Sequence, residues 1–162
     1  MTKTGQNLGY SALFAGAVLS GAAPVQAQLP APVASKLADA IDLCGIGIRL
    51  AMANLPERAA KERGFAYDSA QSTWKWGQGS DMVVVKARGP DCDILLIGPG
   101  ARAEVVSDHV AAWGQANGFD LDRYNPILGM DLLLDGSKSG TSLELKRAPN
   151  GILILTLSRE GV

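Results

Sequence analysis

Val33, Leu37, Ile41, Cys44, Ile48 and Leu55 recur at spacings of three, four and seven, while Lys36, Asp39, Asp42 and Arg49 fall between them. That is one stripe of a 3.6-residue period, so the pattern predicts an amphipathic helix from about Val33 with Cys44 on its inward face. Residues 28–32 read as a flexible Pro- and Ala-rich lead-in. Gly45 and Gly47 weaken the helix and mark a bend or a close approach. Pro56 ends or turns it, because the residue before a proline avoids the helical region. Asn54 and Glu57 have the spacing of a capping box and predict a short second helix to about Arg63, stopped by Gly64.

The period then changes to two. Thr73-Trp74-Lys75-Trp76 alternates polar and aromatic residues, and residues 82–87 form a β-branched run. Arg88-Gly89-Pro90-Asp91 reads as a turn before a strand over 92–97, in which Cys92, Ile94 and Leu96 share one face. If that face meets the helix stripe, Cys92 reaches Cys44. Gly98-Pro99-Gly100 leads into a helix over about 101–117, with Val106, His109, Val110 and Trp113 on one side and Gly118 beyond its end. Residues 119–130 carry no regular pattern. Strand patterns return at 131–135, 141–147 and 152–158. Residues 136–140 link the first two as a flexible turn, and Pro149-Asn150-Gly151 is a strong hairpin signal between the last two. Leu143 and Leu145 alternate with Ser142, Glu144 and Lys146, the mark of a half-exposed strand, whereas 152–157 reads as an interior strand. The order of helix, three strands, helix, three strands predicts an α+β domain, its helices packed on one face of a mainly antiparallel sheet, with the outline of a helix-plus-three-strand pseudo-repeat.

The N-terminal pattern belongs to no such element. Lys3 precedes an apolar and small-residue run from Tyr10 to Ala23, and Val25 and Ala27 occupy the −3 and −1 positions of a cleavage site. This layout predicts a secretory signal peptide over residues 1–27, with Gln28 as the first mature residue and a single domain over 28–162. The apolar run is short for a membrane span, no Cys sits at the cleavage point for lipidation, and no later stretch reaches spanning length. The expected location is the periplasm or outside the cell.

Charge narrows the partners. Lys3 is the only charged residue of the leader, so the 15 basic and 16 acidic residues of the chain become 14 and 16, a net charge of about −2 with His109 neutral. Both signs are scattered with no basic stripe, which removes the electrostatic term that nucleic-acid binding needs. The two cysteines of an exported chain predict a Cys44–Cys92 disulfide.

Candidate chemistry is sparse. His109 is the only histidine, lies on the apolar side of its helix and has no nucleophile elbow to serve. One histidine and two bonded cysteines cannot supply a usual zinc set, so no metal or other cofactor is expected. Asp120 and Asp122 flank Leu121 in what reads as a loop, and Asp91 and Asp93 flank Cys92 as turn and edge residues. The 98–100 segment offers backbone N–H groups to an anion but lacks a phosphate-loop signature. Trp74 and Trp76, with Tyr67 nearby in a polar context, point the same way in a strand. They either cover the sheet or form a binding patch for a sugar or a protein. The sequence thus favours an exported, non-catalytic binding, accessory or inhibitor protein of the bacterial envelope, with a protein or glycan partner. The alternatives are an envelope hydrolase using Asp120 or Asp122 with Glu104, and a small-ligand carrier using the apolar sheet face under the helices.

Overall fold

A computed structural model describes residues 28–124 and 132–161. Residues 1–27, read above as a leader, and residues 125–130 of the irregular stretch lie outside the described residues. Helix α1 (Ala31–Arg49) and the short α2 (Glu57–Glu62) precede β1 (Ala66–Asp68), β2 (Thr73–Gln78), β3 (Asp81–Arg88) and β4 (Asp91–Ile97). Helix α3 (Ala103–Ala116) precedes β5 (Asp120–Arg123), β6 (Leu132–Lys138), β7 (Thr141–Arg147) and β8 (Leu153–Arg159). All the strands join one antiparallel sheet in the order β1-β2-β3-β4-β8-β7-β6-β5. Two meanders, each introduced by a helix, therefore meet at a central β4–β8 seam. The repeat outline holds, but each unit carries four strands rather than three.

The two extra strands, β1 and β5, form the sheet edges. Both are short, and β5 is three-quarters charged, so neither shows an alternating apolar pattern and neither offers a long edge to another chain. Strand β5 holds its place because Leu121 packs where Gly114 of α3 and Gly136 of β6 leave room. A Cβ on Gly136 would run into the Asp120 carbonyl oxygen. Gly136 is thus a strand residue kept bare by a close approach, and the turn expected over 136–140 shrinks to Ser139-Gly140.

Period two sorts the core. Cys92, Ile94 and Leu96 of β4 pair with Leu157, Leu155 and Leu153 of β8, and Leu143 and Leu145 of β7 and Val83 and Val85 of β3 extend the same layer. All are buried. Helix α1 covers this layer over β3, β4 and β8 with Leu37, Ile41, Cys44 and Ile48, while α3 covers β5 and β6 with Val106, Val110 and Ala111. Both helices lie on the Cys92 side of the sheet. Cys44 and Cys92 are bonded there, with S–S 2.00 Å and Cα–Cα 5.4 Å.

Local details depart from expectation for identifiable reasons. Helix α1 starts at Ala31, with Pro32 in its first turn where no N–H partner is lost, and Leu29 joins the core instead of a flexible lead-in. Helix α1 runs unbroken through Gly45 and Gly47. A Cβ on Gly47 would lie 2.9 Å from Leu55, so close approach is the reason for that glycine. The capping box does not form: Pro56 takes the N-cap of α2 and Asn54 lies outside it. Gly64 and Gly118 do follow their helices with positive φ. Among the described residues, no helix is long and apolar enough to cross a membrane.

Candidate functional site

The fold redistributes the residues singled out from sequence. Trp74 and Trp76 pair with Val85 and Val83, which places both indoles on the helix-covered side of the sheet. Trp74 is only 4% exposed and Trp76 packs against the core. The pair is therefore a cover for the core margin and not an exposed binding patch. Tyr67, opposite Trp74 on the edge strand, remains 45% exposed and sets its ring 5.0 Å from the Trp74 ring. His109 is half-buried on α3, and among the described residues no side chain is hydrogen-bonded to it. Of the 98–100 segment, the Gly100 N–H already serves an internal anion, donating to Asp81 Oδ1 at 2.9 Å.

The carboxylates proposed for hydrolysis do not converge. Glu104 lines a depression of about 160 Å³ beside α3, with Asp108 and Arg123 in a 2.6 Å ion pair. Asp120 and Asp122 line a different one, of about 370 Å³, with Asp135 and Glu144. Under the helices, the apolar sheet face is packed against the buried side chains of α1 and α3 among the described residues. A shallow groove of about 370 Å³ does run between α1 and α3, beside Trp113 and Phe119. Its rim cations are engaged locally: Arg49 donates to the Gly45 carbonyl and Lys138 to the Asn117 carbonyl, satisfying acceptors at helix C-termini.

The larger feature is the sheet face opposite the helices, which no element among the described residues covers. The strand registers arrange it in three transverse rows. The first runs Arg88, Asp91, Ser158, Ser142, Ser137, Asp120. The second runs Lys86, Asp93, Thr156, Glu144, Asp135, Asp122. The third runs Lys75, Val84, Leu95, Ile154, Lys146. Beyond Val84 and Leu95, the pair Met82 and Ile97 continues the apolar end. Asp93 is thus a mid-sheet residue, not an edge residue.

Charge is unequal across this face. In the first unit it is matched: Arg88 binds Asp93 at 2.6 Å, with the Thr156 hydroxyl donating to Asp93 at 3.0 Å, and Lys75 binds Asp68 at 2.6 Å. The hydrogen bond from Lys75 is the largest cause holding the Asp68 carboxyl below its ordinary range. In the second unit Lys146 pairs with Glu144, but Asp120, Asp122 and Asp135 have no cation within ion-pair distance among the described residues. Asp122 and Asp135 are direct cross-strand partners, a like-charge opposition that costs stability. The Tyr124 hydroxyl donates to Asp135 at 3.3 Å. Desolvation first, then the Asp135 and Asp122 charges, raise its pKa above the ordinary 10.0. The face thus has a largely buried apolar end and an electronegative end. Sequence reasoning puts Asp120 and Asp122 in a loop and Asp135 and Glu144 on separate strands; only the register assembles them.

No protein-family model matches the chain, and neither a curated protein nor a solved structure is significantly similar to it.

Proposed function

We propose that this chain is an exported, non-catalytic binding or accessory protein of the bacterial cell envelope that recognises its partner through the uncovered sheet face. The observation that carries the reading is that face itself. Leu95 and Ile154, both half-buried, lie in one row beside a row of carboxylates, with the buried Val84 next to them, on the one side of the sheet that neither helix covers. Apolar side chains flanked by polar ones are the make-up of an interaction surface. Export is supported by the leader pattern over 1–27 and by a disulfide, which persists in oxidising compartments.

The test places a photo-crosslinking residue at Leu95 or Ile154 in the expressing cell, with a control at Arg58 on the exposed surface of α2. Discrete adducts from the sheet positions and none from Arg58 support the reading. Adducts that are absent, or equal at all three positions, refute it. The same samples give the intact mass, expected to begin at Gln28; a mass retaining Met1 would refute cleavage at that point.

A further inference from the structure

We infer that the occupant of the uncovered face is an extended, cationic polypeptide segment of a partner protein, with its basic residues over β5–β7 and its apolar residues over Leu95 and Ile154. The inference rests on the sheet face being the recognition surface and adds the chemistry of what lies on it. Charge complementarity selects the occupant. Asp120, Asp122 and Asp135 are unmatched by any described cation, and Glu144, paired with Lys146, and Glu160 border the same depression.

The distribution of these carboxylates argues against a single ion. Asp122, Asp135 and Glu144 stand on three successive strands, so they spread over about 10 Å. Among the described residues, no group of three is close enough together to hold one metal ion. A second copy of the chain fits poorly too. Its own face is charge-balanced in one half and negative in the other, so stacking two copies brings no cationic surface to the carboxylates.

An extended segment matches the spacing. From β5 across β6, β7 and β8 to β4 is about 19 Å, the length of about six extended residues. Side chains on one side of such a segment recur every ~6.7 Å, close enough to the strand spacing for two basic residues at i and i+2 to reach the acidic rows. An apolar residue two or four positions on then falls on Ile154 and Leu95. The segment has a defined polarity, with basic residues at one end and apolar residues at the other.

The test uses the mature oxidised chain and a fluorescein-labelled heptapeptide, Lys-Ser-Lys-Ser-Leu-Ser-Leu, followed by fluorescence anisotropy at low and high salt. The comparator replaces both lysines by glutamate. The expected result is saturable binding of the basic peptide, at least tenfold weaker binding of the acidic one, and weakening by salt. The D120N/D122N/D135N variant should lose at least tenfold in affinity while its urea midpoint stays the same or rises, because a like-charge opposition has been removed. A merely structural role for these carboxylates would instead lower that midpoint. No binding of the basic peptide, or affinity unchanged in the variant, overturns the inference. The two readings fail separately. Crosslinks at Leu95 that persist undiminished in the triple variant leave the recognition face standing and sink the cationic partner, whereas loss of position-dependent crosslinks in the parent chain sinks the face itself.

Discussion

Removing the Cys44–Cys92 bond is the sharpest test of how this fold is held together. The two cysteines are 48 positions apart and both are buried, one in α1 and one in the central strand β4. Cross-linking at that separation removes loop-closure entropy from the unfolded chain, about 14 cal/mol/K, which is about 4 kcal/mol at 25 °C. Native contacts change little on reduction, because Leu37, Ile41 and Ile48 still seat α1 on the sheet. The loss therefore appears as lowered stability of an intact fold, not as a new structure. Against a typical domain stability of about 5–15 kcal/mol, it is a large share. The assay is urea unfolding by tryptophan fluorescence on three samples: oxidised, reduced, and C44A/C92A. With a slope of about 2 kcal/mol/M, the midpoint should fall by about 2 M on reduction. The double variant should fall at least as far, since it also loses the packing of two sulfurs. The slope should rise in both, because an unfolded chain freed of its crosslink exposes more surface. A loss below about 1 kcal/mol with an unchanged slope would refute the argument and put the helix–sheet contacts, not the crosslink, in charge of α1.

Three further outcomes follow from the packing and the electrostatics. Trp74→Ala should cost about 3–5 kcal/mol in urea unfolding, as truncation of a buried aromatic does, while Tyr67→Ser on the exposed edge should cost under about 1 kcal/mol; equal small effects would return Trp74 to the surface. Gly136→Ala should destabilise by about 1–3 kcal/mol, because the added carbon meets the Asp120 carbonyl, which cannot rotate away; a neutral result would show that β5 is not pressed against β6. The Tyr124 ring, followed by NMR, should titrate above 10.0 and move back toward it in Asp135→Asn. A folded pKa raised above the unfolded one means that this contribution to stability is intact below pH 10 and lost as the pH rises through the raised value; titration of Tyr124 at or below 10.0 in the parent chain would contradict the placement.

Much of the fold was legible because its elements carry strong periods. The stripe through Leu37, Ile41, Cys44 and Ile48 and the alternation of Cys92, Ile94 and Leu96 each fixed an inward face, and the disulfide joined the two. Asn150-Gly151 closed the β7–β8 hairpin as its turn chemistry requires, with Gly151 at positive φ. What escaped was short or tertiary in origin. Strand β1 has three residues, too few to show a period, and β5 reads Asp-Leu-Asp-Arg, whose single apolar residue matters only because bare glycines on α3 and β6 receive it. The tryptophans were ambiguous for a different reason. Their alternation fixes that they face one way, but which way depends on their pairing with Val83 and Val85.

The candidate site was the least legible part because it belongs to no single segment. Each row of the uncovered face takes one residue from each of several strands, and those residues are the polar alternates of strands whose apolar members identify them as strands. Asp93 and Thr156, 63 positions apart, become hydrogen-bonded neighbours only through the β4–β8 seam. Asp122 and Asp135 oppose each other only because a charged four-residue segment is held as an edge strand. Such an opposition works against folding, so the core must carry its cost. The apolar layer on the other side of the sheet does so with α1, α3 and a covalent tie, which leaves the opposite side free to hold charges that the fold itself leaves unmatched.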